Sequence, residues 1–380
     1  MKYRKLGRTD LNVSEIGFGP EWLERHPRED VERIMHLCSD LGINIFDCWM
    51  SEPEIRSNLG YAMKGQRDKW IIQGHIGSTW KGQYVRTRDV DLVRPAFEDQ
   101  LRRFGTDYVD IGVINYVDEA KDFDTVMNSE FINYVHHLKE SGAIRYVGMS
   151  THNPKIGKMA VESGEVDMLM FSINPAFDMK PASENVDDLF AEKYEGDFNG
   201  IDPERAELYR LCEREGVGIT VMKGFGGGRL FDASLSPFGV ALTAAQCIHY
   251  ALTRPAVASV IAGFQTEEQV REAVAYCDAA ETDKDYATVL ANAPSFAYNG
   301  QCTYCGHCTP CPAGIDIAMV NKLYDLAAMC DEPAQSVVSH YHCLSANAAD
   351  CIGCGGCETR CPFGVKIVDR MEKAKKLFDR

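Results

Sequence analysis

Eight of the fifteen cysteines in this chain fall in two runs near its end, CTYCGHCTPCP from Cys302 and CIGCGGCETRCP from Cys351. Cys351, Cys354, Cys357 and Cys361 with Pro362 follow the pattern Cys-x2-Cys-x2-Cys-x3-Cys-Pro, in which three close thiolates grip one [4Fe-4S] cubane and the fourth reaches another. Cys302, Cys305, Cys308 and Cys311 with Pro312 repeat it with one residue fewer before the last cysteine. That shortening is tolerable because the last cysteine serves the opposite cluster. The spacing predicts two [4Fe-4S] clusters with exchanged fourth ligands: Cys302, Cys305, Cys308 and Cys361 on one, and Cys351, Cys354, Cys357 and Cys311 on the other. Zinc ribbons and disulfides are the alternatives. Zinc sites favour two separated Cys-x2-Cys pairs over four clustered thiols before a proline, and disulfides suit an oxidising compartment.

A second set of chemically capable residues lies upstream, each just after a short apolar, β-rich run. The runs cover 13–18, 43–47, 70–75, 108–114, 144–149, 166–171, 217–222 and 257–262. The second ends at Asp47, the third at His75, the fourth at Asn115, the fifth at Ser150 with His152, the sixth at Ser172 and Asn174, and the seventh at Lys223. Taken singly, each has a structural reading too: Asp47 as a turn cap, His75 as a satisfied core histidine, Lys223 as a solvated surface cation. Together they need a fold that opens all the strand ends onto one mouth. Amphipathic helical stretches at 88–104, 127–139, 201–215 and 240–253 separate the runs, and this alternation implies a parallel sheet. Eight units suggest a (β/α)8 TIM barrel, whose active site gathers at the carboxyl ends of its strands. An open doubly wound sheet is the alternative, since periodicity alone does not demonstrate closure. Helix signals agree in detail: Asp202 caps, Pro203 opens and Gly216 ends one helix, and Thr266 with Gln269 forms a capping box opening another.

The chain is thus expected to be α/β, with a barrel over 1–280, a connector over 281–299 and a small, mainly helical iron-sulfur domain over 300–380. Its 380 residues exceed what one core normally holds. The segment IDIAMVNKLYDLAAM after Pro312 reads as helix, and 179–200 as a long acidic connection, either a lid or a solvated insertion. No apolar run approaches the roughly 18 residues of a membrane span, and MKYRKLGRTD lacks a secretion signal, so a cytoplasmic location is expected. A net charge of −16 argues against nucleic acid and acidic membranes as partners. Of the remaining thiols, Cys38, Cys212, Cys247 and Cys277 read as small core residues, and Cys330 and Cys343 as spare.

YRKLGRTDLNVSEIGFG at the start, Phe46-Asp47, GAIRYVGMSTHN from Gly142, VMKGFGGGRL from Val221 and SVIAGFQTEEQV from Ser259 carry a resemblance. The chain resembles an aldo/keto reductase fused to a dicluster ferredoxin-like module, over nearly its full length. The resemblance implies a barrel enzyme that moves hydride from a nicotinamide to a carbonyl with an Asp, Tyr, Lys and His set. Asp47 keeps its place. CWMSEPEIRSNLG after it holds no tyrosine, His75 stands where the family has lysine, and Asn115 where it has histidine. Met222 stands where a tyrosine usually stacks on nicotinamide. No arginine follows Gly263 to grip a 2′-phosphate, which favours NADH over NADPH.

Carbonyl reduction needs a proton donor and an electrophilic group at the oxygen. His75, with an ordinary pKa near ~6.5, is the expected donor, steadied by Asp47. Asn115 is expected to donate a hydrogen bond to the substrate and Lys223 to stabilise negative charge. Tyr84, Tyr116 and His152 stand as reserve acids. Ser150, His152, Asn174 and Gly263 are expected to contact a cofactor, with Gly226, Gly227 and the helix opening at Thr266 holding a phosphate; the glycines alternatively form only a flexible turn. Trp22, Trp49 and Trp80 either stack on a ring or pack. Three functions follow: an oxidoreductase whose clusters pass single electrons to or from the mouth, with a ferredoxin or flavodoxin as outside donor; an NAD(P)H-dependent carbonyl reductase with structural clusters; or a non-catalytic redox sensor or electron-transfer subunit.

Overall fold

Eight parallel strands close into a barrel in simple chain order, each paired with its neighbours in sequence and the last with the first. The computed structural model describes residues 1–190, 200–293, 300–328 and 333–379. The strands are β1 (Ile16–Gly19), β2 (Ile45–Cys48), β3 (Ile71–Ile76), β4 (Val109–Ile114), β5 (Ile144–Thr151), β6 (Met168–Ser172), β7 (Gly218–Met222) and β8 (Val257–Gly263). Closure disposes of the open-sheet alternative. Helices α1 (Arg28–Asp40), α2 (Pro53–Ala62), α3 (Val90–Phe104), α4 (Glu130–Glu140), α5 (Pro154–Ser163), α6 (Pro203–Glu215), α7 (Ala244–Leu252) and α8 (Glu267–Ala275) cover the outside.

The first apolar run divides. Asn12–Ser14 pairs antiparallel with Tyr3–Lys5, and only the residues after Glu15 enter the barrel. The hairpin brings Leu6, Leu11 and Val13 against Ile45, Ile111, Val113, Met168 and Ile261, filling the barrel's amino-terminal end. Side chains at the other end are therefore free to do chemistry on a closed floor.

Helix α6 follows its sequence signals: the Asp202 side chain accepts from the backbone N–H groups of Glu204 and Arg205, Leu208, Leu211 and Cys212 are buried, and Gly216 takes a left-handed φ of 68°. At α8 the expected reciprocal box is incomplete. The Thr266 hydroxyl accepts from Gln269 N at 3.4 Å, but the Gln269 side chain reaches Gln265 N instead of the cap residue's own amide. A full box opens α7, between Thr243 and Gln246.

Beyond the barrel come α9 (Tyr286–Ala291), α10 (Ile317–Ala327), α11 (Gln335–His342), α12 (Gly356–Arg360) and α13 (Ile367–Phe378). Helix α10 packs on α6 and α13, and Lys322 pairs with Glu213 at 3.2 Å. Arg254 Nη2 and the Tyr286 hydroxyl donate to Thr303 O, which fixes the first cysteine run against the barrel's helical coat. Cys38, Cys212 and Cys247 are buried as expected, Cys277 is half-buried and Cys343 exposed. Cys330, residues 191–199 of the acidic connection and residues 294–299 of the connector lie outside the described residues. Among the described residues no helix is long and apolar enough to cross a membrane.

Candidate functional site

A cavity of about 540 Å³ opens at the carboxyl ends of the strands, a size suited to a small ligand. Asp47, His75, Asn115, Ser150, His152, Lys223, Gly227 and Gly263 all line it, so most of the residues picked by position meet in one place. Three do not. Asn174 is buried, its Oδ1 capping the turn at Ala176 and Phe177 and its Nδ2 donating to Lys223 O. Thr266 serves the α8 cap, and Gly226 lies under the turn against Leu230 and Asn174.

Asp47 and His75 are buried at the cavity floor, and their roles differ from the expectation. Asp47 Oδ1 accepts from His75 Nε2 and from Gln73 Nε2, both at 2.9 Å. His75 Nδ1 meets Asn115 Oδ1 at 2.7 Å. Both ring nitrogens therefore face oxygens of the protein, and neither points a proton at the cavity. The Asn115 amide is also committed, since its Nδ2 donates to the Tyr84 hydroxyl at 2.8 Å. Tyr84 sits on a small hairpin after β3, where Ser78–Trp80 pairs with Tyr84–Arg86, and its ring stands edge-on to Trp49 at 5.5 Å.

His152 is held differently: Asp118 accepts from its backbone N and lies 2.9 Å from its Nδ1. Tyr116 N donates to the Ser150 hydroxyl, and burial, followed by the nearby Asp118 carboxylate, pushes the Tyr116 phenol up from its ordinary value. Lys223 sits at a left-handed φ of 60°, and its ammonium makes no ion pair or hydrogen bond among the described residues. At the same rim, Gly227 and Gly228 have φ of 67° and 85°, a backbone only glycine takes readily, and Gln265 and Gln269 line the same cavity. Trp22 covers Gly263, where an added Cβ would fall 2.4 Å from its ring. Sequence reasoning missed Gln73 and Asp118, which hold Asp47 and His152, and the roles of Glu21 and Gln269 in lining the cavity. Only Gln73 carried a signal, lying two residues before His75 on the same inward face of β3.

The cysteine runs form two further cavities. One is lined by Cys302, Cys305, Cys308 and Cys361, the other by Cys311, Cys351, Cys354 and Cys357. Burial pushes the Cys302 and Cys308 thiols up to about 12, with the Arg370 guanidinium near Cys302 opposing it only in part. Among the described residues no three His, Cys, Asp or Glu side chains converge as a single metal ion requires. None of the residues lining the barrel mouth comes from beyond position 269.

A family model described as Aldo/keto reductase family matches residues 15–241, ending before both cysteine runs. The chain belongs to that family. It is 28% identical to the uncharacterized oxidoreductase YqkF of Bacillus subtilis over 187 residues, covering 48% of this chain and 58% of that protein. It is also 28% identical to L-glyceraldehyde 3-phosphate reductase of Escherichia coli (strain K12) over 173 residues, covering 43% and 49%. The chain thus spans about half the length of the curated relatives it matches. In fold it is similar to the holo form of the aldo-keto reductase AKR11C1 from Bacillus halodurans, at 24% identity and a TM-score of 0.60 over 75% of this chain and 94% of that one.

Proposed function

We propose that the protein is an iron-sulfur oxidoreductase that reduces a small carbonyl compound at the barrel mouth, with two [4Fe-4S] clusters passing electrons to or from the substrate or a bound cofactor. The single observation carrying this reading is the partition of the eight thiols between two cavities, each drawing three cysteines from one run and one from the other. That is the exchange the ligand spacing requires. A cubane presents a different iron to each thiolate, so its four sulfurs stand farther apart than around one ion, which accounts for the lack of a single-metal convergence. The division at 280 and 300 belongs to the same reading.

A dinucleotide fits the rim through its charge. Lys223 is an uncompensated cation beside the glycine turn, where the Gly227 N–H and the side-chain amides of Gln265 and Gln269 offer donors to a diphosphate, the Gly228 N–H being spent on Phe225 O. A bound dihydronicotinamide supplies hydride. Ser150 and His152, which line the cavity at the end of β5, are the residues that would hold it there. Clusters matter most if electrons arrive singly, from a ferredoxin or flavodoxin. The placement of the first cysteine run on the outer helices, away from the mouth, favours a second reading in which the clusters only brace the carboxyl-terminal helices.

Anaerobic reconstitution followed by iron and acid-labile sulfide assay tests the clusters; about eight irons per chain are expected, and none after faithful reconstitution rejects them. NADH oxidation coupled one-to-one to carbonyl reduction without a carrier selects the second reading over the first.

A further inference from the structure

A string of polar side chains runs across the mouth and ends on a phenol. Gln73 and His75 donate to Asp47, His75 Nδ1 reaches Asn115 Oδ1, and Asn115 Nδ2 donates to Tyr84. Each donor before the last is spent inward. The Tyr84 oxygen receives a hydrogen bond, while its own O–H finds no acceptor among the described residues and lines the cavity at 37% exposure. We infer that Tyr84, on the hairpin after β3, is the catalytic acid that protonates the carbonyl oxygen, with His75 as a positioning residue behind it.

The inference rests on the carbonyl-reductase reading. In the step, the carbonyl carbon gains a C–H bond with hydride from a dihydronicotinamide, and the C=O π pair moves to oxygen. An O–H bond forms there as the Tyr84 O–H breaks, and water returns the proton to the partly exposed phenolate. The phenolate keeps the Asn115 N–H bond throughout, which stabilises the charged form. His75 holds the Asn115 side chain from behind, its Nδ1 2.7 Å from Asn115 Oδ1.

Tyr116, the other phenol at the mouth, lacks such support. No group donates to its hydroxyl among the described residues, its face lies under Arg86 at 4.7 Å, and its edge meets His152 at 5.4 Å. Burial and then its neighbour Asp118 oppose ionisation, and the Arg86 guanidinium offsets them only in part. The hairpin thus places an acid where the stretch after β2 has none.

The test uses the full-length protein with 4-dimethylaminocinnamaldehyde, whose absorption moves to longer wavelength when its carbonyl oxygen accepts a hydrogen bond. The wild-type protein is expected to red-shift the bound dye, Tyr84→Phe to abolish the shift, and Tyr116→Phe to keep it. Methylglyoxal reduction with NADH should fall about 10²-fold to 10⁴-fold in Tyr84→Phe, the usual range for a lost general acid. Asn115→Leu, which leaves the phenol in place, is expected to keep the shift and lower the rate. A shift that survives Tyr84→Phe overturns the inference. So does a wild-type protein with no shift, the result expected if the Asn115 amide is turned so that Tyr84 donates inward. The dye needs neither reductant nor clusters, so this failure is distinct from a failure of the redox reading, which the iron and sulfide assay decides.

Discussion

Arg360 Nη2 donates to Cys308 O, and to Pro310 O, at 2.7 Å each, so the residue before Cys361 is fastened to the opposite cysteine run. The link directs Cys361 toward the cavity of Cys302, Cys305 and Cys308 and away from its sequence neighbours. An anaerobic preparation of Cys361→Ser is therefore expected to alter the same electron paramagnetic resonance signal as Cys305→Ser. Cys311→Ser should instead resemble Cys354→Ser. Signals that group by run rather than by cavity would reject the exchange. Arg360→Ala, which keeps all eight thiols, should speed cluster loss in air.

Lys223 offers a charge with nothing described to neutralise it, beside a turn that only glycine fits. Lys223→Met is expected to weaken NADH binding about tenfold, equivalent to about 1.4 kcal/mol. Fluorescence titration at two salt concentrations checks it: the wild-type affinity should drop with salt and that of the variant should drop less. Equal affinities would mean that the ammonium faces solvent and holds no phosphate.

Much of this architecture is legible in the sequence because strand and helix periods are local. Each of the eight apolar runs contributes a barrel strand, and the signals at Asp202, Pro203 and Gly216 set the limits of α6. The split at Glu15 was not legible, since a hairpin strand and a barrel strand have the same period. At the site, position after a strand placed Asp47, His75, Asn115 and Lys223 at one mouth, but not the direction of their hydrogen bonds. His75 looks like a free acid in sequence and is enclosed by Asp47 and Asn115 in space. Tyr84 is remote from the tyrosine position the family uses, and only the hairpin returns it to the mouth.

Under the helical coat Asp178 is fully buried, accepting from the Tyr209 hydroxyl and from the Tyr250 hydroxyl at 2.8 Å, with Arg205 Nη1 at 3.6 Å. Removing the carboxylate takes an acceptor from both phenols and the counter-charge from Arg205, which keeps its bonds to Lys180 O, Ser172 O and His152 O. Asp178→Ala is expected to cost about 3–5 kcal/mol, the range for breaking a buried pair. Urea unfolding measures it, and a loss below about 1 kcal/mol would place the pair in a surface-like environment.

His249 gives a pH dependence with a definite sign. Its Nδ1 lies 3.2 Å from the Tyr276 hydroxyl, and its ring packs near those of Tyr276 and Tyr286. Burial pushes its pKa down to about 4; Lys284, Arg4 and Arg254 add to this, and Glu281 opposes it. The unfolded chain, with an ordinary histidine near ~6.5, takes up the proton first as the pH falls. Stability from this group is therefore complete above the unfolded value, is lost between about 6.5 and 4, and changes no further below that. From pH 7 to pH 5 the loss is about 2 kcal/mol for a ring held wholly neutral in the folded state. Urea unfolding at the two pH values should show that difference in the wild-type protein and a smaller one in His249→Gln, whose amide can still reach Tyr276. Equal losses in both would mean that the folded protein accepts the charged imidazole at this position.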